Sequence, residues 1–289
     1  MNESFALPDA LPWGMPAYLL LDGVSMPGLA QQLHRWGNAP YCLYWSTRWQ
    51  EISDISPYLV ALEGPDDPLL AHLVAHAGQE WGYLLFSEAD AHALCGHWRR
   101  LLSVEHLHGG EVMLRIADPA VMHPLFSLAA QAGSARWFGP LARVCLPDGA
   151  AATWTCLERP DPAIAEPAAY RLTEQELTAL GEVEFRNFVL RLGEHMHAYF
   201  PEFMARFAAH EWRPYVQKIA DKAYQRGFCS EQEITLFANV FGYLAGQPVS
   251  DFPEIVQLLS EPTSNSPLSR VLRAAELAEH QATDRQGRP

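Results

Sequence analysis

The sequence predicts an α+β protein: an N-terminal α/β lobe with a mixed sheet flanked by helices, followed by an all-α C-terminal lobe. Three observations predict it. Up to residue 157, short apolar runs of strand length alternate with helical segments. The stretch ERPDPAIAEPAA at 158–169 then holds three prolines and little that could pack. Beyond it the apolar residues recur only at helical spacing. The expected organisation is 1–157 for the first lobe, 158–169 for a linker, 170–282 for the helical lobe and 283–289 for a disordered tail.

In the first lobe, residues 18–21 read as a buried strand ending at Asp22 and Gly23. Ser25 is placed to cap a helix through Trp36, with its stop at Gly37. Residues 41–45 and 58–62 read as the next strands, and 68–77 as a helix with Leu69, Leu70, Leu73 and Val74 on one face. A strand at 83–86 precedes a helix capped by Ser87 and running to Leu102. Residues 104–107 and 111–116 flank His108, Gly109 and Gly110, a tight hairpin turn that makes the sheet mixed. A helix at 121–130 carries Pro124, and strands at 143–146 and 153–157 complete the lobe. In the second lobe, Thr173 with Glu176 and Ser230 with Glu233 have capping-box spacing. Helices follow from Glu176, from Pro201, around Val216 to Tyr224, around Ile234 to Leu244, and from Ser266.

Net charge is −14, with 15 acids against 7 bases in residues 1–150 and 19 against 13 in 151–289. Nucleic acid and anionic membranes both require clustered bases, so neither is an expected partner. Five scattered cysteines, Cys42, Cys95, Cys145, Cys156 and Cys229, form no C-x-x-C pair and read as reduced, mostly buried thiols of a cytoplasmic protein. The N-terminus lacks a basic, apolar leader pattern, and no apolar run approaches the roughly 18 residues of a membrane span.

Catalytic patterns fail in turn. No G-x-S-x-G elbow, Walker loop or G-x-G-x-x-G occurs. His72 and His76 have the spacing of a zinc pair, but Leu73 stands where a metalloprotease needs Glu. Cys95 and His97 point to different sides of a helix. No catalytic residue, cofactor or metal is expected. Two features remain. Trp45, Arg48 and Trp49 form an aromatic and arginine cluster of the kind that anchors protein interfaces, or else covers a core edge. Arg115 and Asp118, just before Pro119, sit where a strand meets a helix; a planar guanidinium there ties the junction together.

The runs YLLLDG at 18–23, SPYLVAL at 56–62, GYLLFS at 82–87, HWRRLL at 97–102, LRIADP at 114–119 and WFGP at 137–140 occur in this order. Together, over about residues 17–145, they resemble the effector adaptor, or effector-chaperone, family of bacterial type VI secretion systems, long described only as a domain of unknown function. RGFCSEQEI at 226–234 resembles the helical lobe that often follows. Ala117 departs from the family's aromatic before Asp-Pro; Arg115, Asp118 and Pro119 match it, as do Phe138, Gly139 and Pro140. The resemblance implies a non-catalytic cytoplasmic protein that binds a secreted effector and loads it onto the VgrG spike or a PAAR tip. An immunity-type toxin binder and a hydrolase are the alternatives.

Overall fold

The computed structural model describes residues 6–160, 170–208, 211–260 and 265–286. They form an α+β protein with a sheet-containing N-terminal part and an all-helical C-terminal part. Two compact units divide it, Met1–Val183 and Glu184–Pro289. The division falls inside a helix, so residues 170–183 pack with the first unit, where the proline-based boundary assigned them to the helical lobe. Most of that proline stretch, residues 161–169, lies outside the described residues.

The first unit is built on a six-stranded sheet in the order β2-β3-β1-β4-β7-β8. The strands are β1 (Ala17–Asp22), β2 (Tyr41–Cys42), β3 (Pro57–Ala61), β4 (Gly82–Phe86), β7 (Arg143–Asp148) and β8 (Thr153–Glu158). Every neighbouring pair is antiparallel. The expected mixed sheet is therefore corrected to an antiparallel one. The continuous apolar runs that suggest parallel strands arise because both faces of this sheet are covered. Tyr18, Leu20, Leu59, Tyr83 and Leu85 pack on one side with α3 (Ala91–Leu101) and α4 (Pro119–Gln131). Leu19, Leu21, Val60, Leu84 and Phe86 pack on the other with α1 (Leu29–Arg35) and α2 (Pro68–Ala75). With period-two side chains and two covered faces, every residue of β1 is buried.

The hairpin of β5 (Ser103–Glu105) and β6 (Glu111–Met113) forms its own two-stranded sheet rather than joining the main one. Its second strand stops at Met113, so Arg115 lies in the turn after the strand, not on it. Two expected caps are also replaced. The α1 helix begins after Gly28, and Ser25 instead donates to Asp22. The α3 cap is Asp90, whose carboxylate accepts from Ala93 N–H, while Ser87 Oγ donates to Pro140 O at 2.7 Å. The strand expected at 41–45 is reduced to Tyr41–Cys42, because residues beyond it turn into a 3₁₀ segment, Gln50–Ile55.

The second unit packs α7 (Trp212–Gln225), α8 (Glu231–Leu244), α9 (Pro253–Ser260) and α10 (Pro267–Gln286) with the later turns of α5 (Glu174–Tyr199) and the short α6 (Pro201–Met204). Its core includes Leu192, Met196, Val216, Phe228, Phe237, Leu244 and Ala274. The Ser230–Glu233 capping box forms as its spacing predicts. The last helix runs on to Gln286, so residues 283–286 are helical, not part of a disordered tail.

Cysteine chemistry departs from expectation. Cys145 and Cys156 are cross-strand partners of β7 and β8, with Cα atoms 4.1 Å apart, and they form a disulfide. Register, which spacing alone does not reveal, brings the two thiols face to face. Of the three free thiols, Cys95 is buried, Cys42 half-buried and Cys229 exposed.

Candidate partner-binding surface and its anchoring junction

The Arg115 junction brings together one guanidinium and two carboxyl side chains. Asp118 caps α4, its carboxylate accepting from Ala120 N–H at 2.9 Å. Arg115 Nη1 pairs with Asp118 Oδ2 at 3.1 Å, and its Nη2 donates to Asp22 and to Ser25 Oγ, the latter at 3.1 Å. Asp22 ends β1 and also accepts from Val24 N–H and Ser25 O–H. The two carboxylates are 4% and 9% exposed, the guanidinium side chain 41%. Asp22 is the member that sequence reading did not place; the signal for it was an Asp-Gly pair closing a buried strand. Gly23 is needed because a Cβ there would lie 2.7 Å from the Ile55 carbonyl carbon. Tyr83 O–H adds a bond to Ile116 O at 2.5 Å.

Burial raises the Asp118 carboxyl above its usual range; Arg115 pulls it down and the Asp22 charge pushes it up again. Burial works against the Arg115 charge, but the two carboxylates outweigh it and raise its pKa. Arginine suits this role because its planar fork serves two acids at once. The geometry fastens the end of β1 to the start of α4.

The WFGP run makes a second fastening. Trp137 is fully buried, and its indole N–H donates to Glu176 Oε1 at 2.6 Å. Glu176 is also the acid of the Thr173 capping box, accepting from Thr173 N–H at 2.8 Å. Phe138 packs on Phe126, with ring centroids 4.9 Å apart. Gly139 has φ +53, and a Cβ there would collide with the His97 ring, 2.9 Å from its Cγ. His97 is buried, its Nε2 facing Trp137 O at 3.1 Å, so that nitrogen carries the proton and Nδ1 is left without a partner. Burial lowers its pKa to about 4, against the pull of that carbonyl. Pro140 contributes the carbonyl that accepts from Ser87, and Pro119 opens α4.

Trp45, Arg48 and Trp49 lie together beyond β2, the outer strand of the sheet, but differ in role. Trp49 is half-buried against the core, 6.1 Å from Tyr44. Arg48 stacks over the Trp49 ring at 4.4 Å, donates to Ser103 Oγ at 3.0 Å and pairs with Glu111. Bonds from Arg48 and Ser103 lower the Glu111 pKa. Trp45 is 65% exposed. Tyr41, Ile52 and Ile55 of the same segment are also exposed. From below, Arg99 of α3 holds the segment by donating to Cys42 O at 3.2 Å and Leu43 O at 3.1 Å. The arrangement is a braced segment presenting open apolar side chains, which suits protein contact.

Among the described residues, no group of three His, Cys, Asp or Glu could hold a metal ion. His72 and His76 instead stack with each other and with Trp81, at 4.4 and 4.8 Å for the His76 pairs. No described helix is long and apolar enough to cross a membrane.

These features define a two-part protein whose N-terminal fold is fastened at the Arg115 junction and at the WFGP run. Residues 17–134 match the family described as a domain of unknown function, DUF4123. The matched residues lie within the stretch, about 17–145, over which the short motifs carry the family resemblance. Over 270 residues the chain is 29% identical to the accessory protein VasW of Vibrio cholerae serotype O1 (strain ATCC 39315 / El Tor Inaba N16961), covering 90% of this chain and 87% of that protein. No solved structure matches the chain.

Proposed function

We propose that this protein is a non-catalytic type VI secretion adaptor that binds an effector in the cytoplasm and loads it onto the VgrG spike. Its likeness to an accessory protein and the motif order support the secretion role. The observation that carries the binding role is the exposed Trp45, set on a segment whose base is locked by Arg48, Trp49 and Arg99. An aromatic carried on a backbone braced in this way needs little ordering of the chain on binding, which suits an interface anchor. A chaperone of this kind works by binding energy alone: it covers apolar effector surface until the spike is engaged. The hydrolase alternative requires an activated nucleophile. Among the described residues no histidine ring is hydrogen-bonded to a carboxylate, and His195 Nε2 instead meets Asn239 Oδ1 at 2.7 Å.

The test is co-expression with the effector encoded nearby and with a VgrG protein. A stable complex is expected, with Trp45→Ala weakening capture by about tenfold or more at unchanged stability. Deletion of the gene is expected to stop effector delivery. No co-purification together with intact delivery would remove the proposal. Protection of cells from the toxin, without any need for the protein in export, would instead establish the immunity-type reading.

A further inference from the structure

A groove of about 610 Å³ opens on the helical unit between α7, α8 and α9. Phe237, Phe241, Val249 and Val256 give it an apolar lining, and Lys222 and Arg226 supply its cations. Both bases are exposed, and no ion pair forms on either among the described residues. No Asp or Glu lines the groove.

The charge pattern is not incidental to the composition. Lys218, Lys222 and Arg226 follow one another at four-residue steps, which puts them in one row along α7 and its C-terminal cap. Lys218 and Lys222 are the only lysines of a chain whose net charge is −14. Like charges four apart on a helix repel one another. A surrounding excess of acids offers ready partners, yet no described carboxylate neutralises the two groove bases. Arg226 also lies over the Phe237 ring at 5.9 Å, so one cation stands directly at the edge of the apolar floor. An apolar trough with a cationic margin is the complement of an amphipathic helix whose apolar stripe is flanked by carboxylates. The volume lies within the roughly 300–1,000 Å³ of clefts that seat ligands, enough for a few anchor side chains at i, i+3 or i+4, and i+7.

We infer that this groove is the docking site for an acidic amphipathic helix of a partner protein. It gives the helical unit a contact chemistry separate from the Trp45 segment, and rests on the adaptor reading only for which protein supplies the helix.

The probe is a fluorescein-labelled synthetic helical peptide with leucine anchors flanked by glutamates, titrated into the full chain and followed by anisotropy. Saturable binding is expected. Lys222→Glu/Arg226→Glu should weaken it by about tenfold or more, and added salt should weaken it too. Val256→Asp should also weaken it, with circular dichroism confirming an unchanged fold. The same peptide with lysines for glutamates should bind at least about tenfold more weakly. Trp45→Ala should leave the affinity unchanged. The inference is overturned by absent saturation, by indifference to either charge reversal, or by phosphatidylglycerol vesicles binding where the peptide does not. Those failures are compatible with effector and VgrG co-purification, so they separate from failure of the adaptor reading; peptide binding without co-purification would remove only the latter.

Discussion

Replacing Gly139 by alanine tests the fastening of the WFGP run. The backbone there has φ +53, which costs an L-residue about 1–2 kcal/mol. The new methyl group would also meet the His97 ring, which is buried and bonded to Trp137 O and so has little room to retreat. Overpacking of this kind costs about 1–3 kcal/mol, giving roughly 2–5 kcal/mol in all. The second component depends on His97, so a double-mutant cycle isolates it. His97→Ala is destabilising alone through its cavity, but it removes the collision. The pair should therefore be less damaging than the sum by about 1–3 kcal/mol. Urea unfolding monitored by tryptophan fluorescence is suited to this, since every tryptophan except Trp212 lies in the first unit. Additivity within about 0.5 kcal/mol would refute the reasoning, because it would mean that the two sites do not touch.

Four further outcomes are expected. Arg115→Ala should cost about 2–4 kcal/mol in the same assay: it leaves two nearly buried carboxylates unpaired, though the half-exposed site tempers the loss. Asp118→Ala should lower stability and weaken partner loading only in proportion; a variant as stable as wild type that lost one partner would make the junction a contact site. Stability should fall as pH drops from 6.5 toward 4, because the unfolded chain protonates His97 first. The folded pKa of about 4 sets the loss at about 3 kcal/mol, and His97→Gln should flatten the profile. Asp118, whose pKa is raised, acts in the opposite direction over the acid range and should not produce this fall. Reduction of Cys145–Cys156 should cost about 3 kcal/mol, from the short loop it closes; an unchanged urea midpoint with dithiothreitol would count against a stabilising bridge.

Local patterns were legible wherever one residue type dictates one geometry. The two capping boxes, the Asp118-Pro119 helix start and the buried runs of β1, β3 and β4 follow from side-chain chemistry a few residues apart. What escaped reading depends on contacts across long stretches of chain. Asp22 and Arg115 are distant in sequence, and so are Trp137 and Glu176; neither periodicity nor propensity encodes such pairs. The sheet's antiparallel character was hidden because two helix layers bury both its faces, erasing the alternation that marks a half-solvated sheet. The disulfide was hidden for a similar reason, since only the register of β7 and β8 aligns its thiols. At the Trp45 segment the residue types were readable but their division of labour was not: Trp49 and Arg48 brace, and Trp45 is open.

The hydrogen bond from Trp137 to Glu176 bears on where the chain can be cut. A fragment ending with the matched domain at residue 134 loses the WFGP run altogether. One ending at 158, at the close of the last strand, keeps the indole but strands its N–H inside an apolar core, at a cost of about 1–3 kcal/mol, besides uncovering the surface that Leu177 and Leu180 protect. A fragment meant to fold on its own should therefore keep the first turns of α5, to Val183, where the first compact unit ends.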